Sequence, residues 1–147
     1  MSDTRLDSRP DTVRADSPCS TPEGVIDHFA ALLGAGDLDA ALDLYADGAA
    51  FLPDPGSVVT GDDQLRAGLA GFFAIRPTLV PGRRRVVVAG DTALVVHDWQ
   101  LRGALPDGTP VEQQGRAVDV LRRRPDGTWR LLIDDPWGVQ VLDVPTP

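Results

Sequence analysis

From Pro77 onward the chain alternates between apolar, β-branched runs and short turn sequences. The segments "RRRVVVAG", "DTALVVHDWQLRG", "VEQQGRAVDVLRRR" and "TWRLLIDDPWG" read as four strands, separated by "AGD", "LPDGTP" and "RPDG". Each separator carries the Gly, Pro or Asp of a tight turn. Turns this short join antiparallel neighbours, because a parallel return needs a dozen residues or more. The second half of the chain is therefore a meander, and its apolar face must be covered by what comes before it.

What comes before has helical period. In "STPEGVIDHFAALLGAGD", Thr21 can cap, Pro22 suits the first helical position and Glu23 favours the positive helix end. Val25, Phe29, Leu32 and Leu33 recur on one face, and "GAGD" stops the helix. Asp37 or Asp39 opens a second, short helix, "LDAALDLYADG", with Leu38, Ala41, Leu42 and Tyr45 on one face. "AAFL" reads as a brief strand and "PDPGSVVTG" as a loop. "DDQLRAGLAGFFAI" reads as a third helix with Leu65, Leu69, Phe72 and Phe73 apolar. Helices followed by a curled antiparallel sheet make an α+β fold in which three helices cover the concave face, one end closing and the other leaving a pocket. Residues 1–21 are polar, rich in Asp, Arg, Ser and Pro, and without period, which predicts a disordered tail ahead of a single domain over 22–143.

Composition narrows the partners. A net charge of −8 argues against nucleic acid, whose phosphates need a basic surface. The triplets Arg83-Arg84-Arg85 and Arg122-Arg123-Arg124 flank strands and read as solvated faces or edge protection. Every basic residue is arginine, which removes Schiff-base chemistry and a lysine-anchored pyridoxal group. The single cysteine, Cys19, forms no disulfide framework, and two distant histidines give no recognisable metal-ligand set. Nucleotide-binding glycine motifs and a serine nucleophile elbow are also missing from the sequence, so no metal or cofactor is expected. Residues 1–22 carry no apolar signal core and no run is long enough to span a bilayer, which predicts a cytoplasmic protein without a membrane partner.

The candidate residues lie mainly on the strands. Ala93, Val95, His97, Trp99 and Leu101 alternate on the bulkier, more apolar face of their strand, so His97 and Trp99 should look inward. In "AVDVL", Asp119 is inward if Ala117 and Leu121 are, and solvated if Val118 and Val120 are; the pattern alone allows both. An inward carboxylate costs several kcal/mol unless it is neutralised, paired or hydrogen-bonded. Asp54 before Pro55 is either a turn former or a base at a pocket mouth. One of Asp134 and Asp135 should point inward at the end of the last strand, and Asp135 is taken as the pocket member. Trp137 lies beside the open side, the Tyr45 hydroxyl could reach the cavity, and Gln113 could orient a carbonyl.

The stretch "FAALLGAGDLDAALDLYADGAAF", the DP turn after it, and the meander ending "DGTWRLLIDDPWG" resemble the nuclear transport factor 2-like superfamily, closest to its ketosteroid isomerases and SnoaL-like polyketide cyclases. The resemblance covers residues 22 to about 140. It implies a cone-shaped α+β barrel with a largely apolar pocket, and a homodimer through the outer face of the sheet. In the isomerases a general base lies in the DP turn, which matches Asp54, and a protonated acid lies mid-strand, which matches Asp119. That acid is a carboxyl group kept neutral by its apolar surroundings so that it can donate a hydrogen bond. Their helix tyrosine aligns with Phe29, which cannot donate a hydrogen bond. The resemblance thus implies a cofactor-independent isomerase or cyclase acting by proton transfer beside a carbonyl of a hydrophobic polyketide- or steroid-like molecule. The alternative is a non-catalytic dimeric ligand-binding or accessory protein on the same fold.

Overall fold

Thr21 caps the first helix through its side chain, which accepts from the Gly24 N–H, and among the described residues the chain builds three α-helices and six strands. The computed structural model describes residues 17–145. The elements are α1 (Pro22–Ala35), α2 (Leu38–Leu42), β1 (Tyr45–Asp54), β2 (Ser57–Thr60), α3 (Asp62–Ala74), β3 (Thr78–Ala89), β4 (Thr92–Ala104), β5 (Pro110–Arg123) and β6 (Trp129–Asp135). They form one sheet in the order β2-β1-β6-β5-β4-β3. The helices pack on its concave side. Val25, Ile26 and Leu33 of α1 and Leu65, Leu69 and Phe73 of α3 are buried there against Val95, Leu121 and Leu131 of the sheet.

Several boundaries differ from the sequence reading. The second helix ends at Leu42, so Tyr45 starts β1 instead of sitting on a helical face. The Leu44 carbonyl accepts from the Leu131 N–H at 2.7 Å, and sheet pairing takes over from helix propensity at that point. The brief strand "AAFL" is part of a ten-residue strand, and the expected loop after it contains β2, paired antiparallel with β1. Pro53 lies where that ladder is irregular, between Phe51 and Asp54, which is where a residue without an N–H can sit in a strand. β3 starts at Thr78, five residues before Arg83, and runs through Pro81 because it is an edge strand with an irregularity next to that proline.

The sheet is not wholly antiparallel: β1 runs parallel to β6. Residues 17–20, expected in a tail, hold a 3-10 turn over Pro18–Ser20 that Ser17 caps, and Cys19 is buried beneath it. Residues 1–16 of that expected tail lie outside the described residues.

Candidate active site

Three adjacent strands carry the polar groups. On β4, Ala93, Val95, His97, Trp99 and Leu101 are buried, while Leu94, Gln100 and Arg102 are exposed. On β5, Ala117, Asp119 and Leu121 are buried. Pairing of Leu121 with Ala93, Asp119 with Val95 and Ala117 with His97 locks the two strands face to face. A one-residue slip would expel all of these side chains at once. Asp119 is therefore the inward residue of "AVDVL".

β6 breaks its own alternation. Val120 pairs with Ile133 and Leu121 with Leu131, so Leu132 is an extra residue, a bulge. Strict alternation from buried Leu131 would turn Ile133 and Asp135 inward. The bulge reverses this: Ile133 is 41% exposed, and Asp134 is buried directly opposite Asp119.

The side chains meet in a line across the sheet. His97 Nε2 lies 2.8 Å from Asp119 Oδ2. Asp119 Oδ1 accepts from the Asp135 backbone N–H at 3.0 Å. The Tyr45 hydroxyl donates to Asp134 Oδ2 at 2.5 Å. On the other flank Arg84 is the cross-strand partner of His97. Its guanidinium turns to α1, where it pairs with Asp27 at 2.7 Å.

These groups open on a cavity whose walls include Ile26, Phe29, Leu69, Phe72, Trp99 and Trp137. His97, Asp119, Asp134 and Gln113 also line it. Trp99 and Trp137 meet edge to face at 5.7 Å. Both indole N–H groups donate to backbone carbonyls, of Pro136 and Leu52 respectively, which fixes the rings. Trp99 lies over Gly115 of β5, where any Cβ would come within 2.9 Å of the ring.

Burial decides the charge states. It lifts the Asp119 carboxyl from 3.8 to about 7, with hydrogen bonds from Asp134 and the Asp135 N–H acting against it. It lifts Asp134 well above the carboxylate range, reinforced by the charge of Asp119. It holds His97 below the usual imidazole value, although Asp134 pulls the other way. Burial and the charge of Asp134 push the Tyr45 hydroxyl well up. In a wet, exposed ion pair the histidine would gain a proton and the carboxylate lose one; here desolvation wins and favours the neutral forms.

The other expected site residues fall as follows. Phe29, Trp99, Trp137 and Gln113 line the cavity with His97 and Asp119. Asp54 is exposed, and its Oδ1 accepts from the Gly56 N–H at 2.8 Å, so it shapes the turn instead of reaching the cavity. Asp135 is turned away by the bulge, and its Oδ1 accepts from the Trp137 and Gly138 N–H groups at 3.1 Å each, holding Trp137 in place. Tyr45 does not line the cavity but reaches it through Asp134. Asp134, weighed beside Asp135 in the sequence, is the member of the pair that the structure turns inward. Among the described residues no three His, Cys, Asp or Glu side chains converge as a metal site, and no helix is long and apolar enough to cross a membrane.

A family model described as a SnoaL-like domain matches residues 25–132, well over half of the chain. The chain belongs to the SnoaL-like domain family. Solved structures share the nuclear transport factor 2-like cone. One is an NTF2-like protein with a cystatin-like fold from Novosphingobium aromaticivorans (21% identity, 75% of this chain and 74% of that one, TM-score 0.59). Another, from Xanthomonas campestris, is described provisionally as a calcium/calmodulin-dependent protein kinase II association domain (23%, 77% and 81%, TM-score 0.69). A third, from Shewanella frigidimarina, is described provisionally as a ketosteroid isomerase (18%, 81% and 94%, TM-score 0.63). At these identities the likeness is one of fold, and the fold hosts unrelated roles. No curated protein matches the chain.

The lifted Asp119 carboxyl makes stability depend on pH. The folded chain keeps a proton that the unfolded chain releases near 3.8. The stability tied to the neutral form is complete below that value and is lost as pH rises to about 7, at about 1.4 kcal/mol per pH unit and on the order of 4 kcal/mol in all. Asp119→Asn has no such proton to lose. Its urea midpoint should exceed that of the wild type at about pH 8 and the gap should shrink toward about pH 4. A gap that does not change with pH contradicts the buried neutral carboxyl.

Proposed function

We propose that this SnoaL-like protein is a cofactor-independent isomerase or cyclase that moves a proton beside a carbonyl of a hydrophobic polyketide- or steroid-like molecule. The observation that carries the reading is the 2.8 Å contact between His97 and Asp119 on the wall of an apolar cavity. Asp119, poised at about 7, can take or return a proton near neutral pH, which is the condition for efficient general acid–base catalysis. His97 stabilises either state of the carboxyl. Trp99, Trp137 and Phe29 would hold the flat apolar body of the substrate, and Gln113 at the mouth would orient an oxygen. The chain has no lysine, and Arg84, the arginine opposite His97, is committed to Asp27. The cavity therefore favours an uncharged ligand.

One observation favours the non-catalytic reading. Phe29 supplies no hydroxyl and Tyr45 directs its own to Asp134, so the cavity has no free phenol to stabilise an enolate. A single assay separates the two. Exchange of α-protons for deuterium in β-tetralone, a bicyclic enolisable ketone, is followed by proton NMR in heavy water. The wild type should accelerate exchange, and Asp119→Asn should lose on the order of 10²–10⁴-fold while remaining folded. Binding of the ketone without exchange supports a ligand-binding protein. Equal rates in the two proteins remove Asp119 from the mechanism.

The same reading includes a homodimer through the outer sheet face. Leu94, Val120 and Ile133 form a cross-strand row there, and Leu94 and Ile133 are exposed. Sedimentation should show a dimer for the wild type and a monomer for Val120→Arg; a wild-type monomer contradicts it.

A further inference from the structure

Asp134 and Asp119 are the two carboxyl groups of the cavity, and they stand directly opposite each other on β6 and β5, both buried. Two carboxylates at directly paired, buried strand positions cannot both ionise without strong mutual repulsion, so one of them keeps a proton. The hydrogen bonds show which one. Asp119 Oδ1 accepts from the Asp135 N–H, and its Oδ2 accepts from the His97 ring when Nε2 carries the hydrogen. Asp134 receives one such bond, from the Tyr45 hydroxyl on Oδ2. We propose that Asp134 is a second catalytic carboxyl, sharing a single proton with Asp119, and that Tyr45 is the residue that positions it.

This rests on the enolisation chemistry proposed above and gives it the missing acid. Asp119, ionised while Asp134 holds the shared proton, takes the α-proton, and the C–H pair becomes the C=C bond. The carbonyl π pair closes onto oxygen, which receives the proton of Asp134. Asp119 has gained one proton and Asp134 has lost one, so the pair holds a single proton before and after. The return step runs the same transfers backward or delivers the proton to a different carbon. The arrangement supplies, through a carboxylic acid, the oxygen-side donor that Phe29 cannot.

The surroundings do not compete for the role. α1 and α3 present Ile26, Phe29, Leu33, Leu69 and Phe72 to the cavity, all apolar. The charged groups nearby are committed elsewhere. Arg84 pairs with Asp27, and its N–H also reaches the Glu23 carbonyl. Asp98 lies on the outer face between Arg83 and Arg116. The Asp135 carboxylate holds the turn after β6.

The test has an arm that needs no turnover and an arm that does. In the first, carboxyl ¹³C shifts of Asp134 are recorded across pH in the wild type, Asp119→Asn and Tyr45→Phe, with Asp134→Asn used for assignment. Asp134 should be protonated at neutral pH in the wild type. It should lose its proton at lower pH in Asp119→Asn, where no neighbouring charge opposes ionisation, and at higher pH in Tyr45→Phe. An Asp134 already ionised at neutral pH, with shifts indifferent to residue 119, overturns the shared proton. In the second arm, Asp134→Asn keeps a neutral hydrogen-bond donor in place but has no acid proton to deliver. Its β-tetralone exchange should fall on the order of 10²-fold or more. Tyr45→Phe should lower kcat about tenfold at unchanged KM and shift the pH profile, because Tyr45 does not line the cavity. Wild-type exchange in Asp134→Asn rejects the catalytic role. A wild type that fails to exchange the ketone rejects the proposed reaction, and the carboxyl pair is then judged on the shifts alone.

Discussion

A carboxyl group enclosed by hydrocarbon is the constraint on which the site depends. Asp119 is 2% exposed in the middle of a strand whose neighbours are apolar. Its ionisation is opposed by burial and helped by the Asp135 N–H and by Asp134. The balance falls near neutrality because neither side is complete. Fewer hydrogen bonds would hold the group protonated at every physiological pH, and a bound cation would hold it ionised. His97, drawn to Asp119 at 2.8 Å, is subject to the same opposition.

The fold sets this balance through register. β4 and β5 pair over thirteen residues without a break, which keeps His97 and Asp119 on one face. β6 instead carries a bulge at Leu132, and that one extra residue exchanges Asp135 for Asp134 in the cavity. Asp135, displaced, closes the turn that seats Trp137 as a wall of the same cavity. Two adjacent acidic residues thus take opposite roles, one polar and buried in the site, one fixing the shape of its rim. The bulge also brings Tyr45 on β1 into play, since β1 meets β6 in parallel and delivers its hydroxyl to Asp134.

Much of this is legible in the sequence because alternation survives wherever strands pair regularly. The inward face of β4, with His97 and Trp99, follows from counting by twos. Asp119 needs more: the pattern of "AVDVL" fits either face, and the family resemblance tips it inward. The errors lie where pairing overrides a local rule. Tyr45 has helical spacing from Leu38, Ala41 and Leu42, yet Leu44 is captured by β6 and the helix stops. Asp54 matches a base only through the family resemblance; its carboxylate is satisfied by the turn it makes, the other role the sequence allows it. Strict alternation selects Asp135 over Asp134, and the bulge reverses that choice. "RLLIDD" shows three apolar residues in a row, a hint that alternation fails there, but nothing in it fixes which residue is the extra one.

The most direct measurement is on His97, one of only two histidines in the chain. Ring ¹⁵N shifts distinguish neutral imidazole from imidazolium without reference to any substrate. His97 should stay neutral below the pH at which a free histidine, near 6.5, is half charged, since burial outweighs its acidic neighbours. An imidazolium at His97 with its midpoint at or above 6.5 would mean that ion pairing beats desolvation, and burial could not then be what sets the charge states of the site.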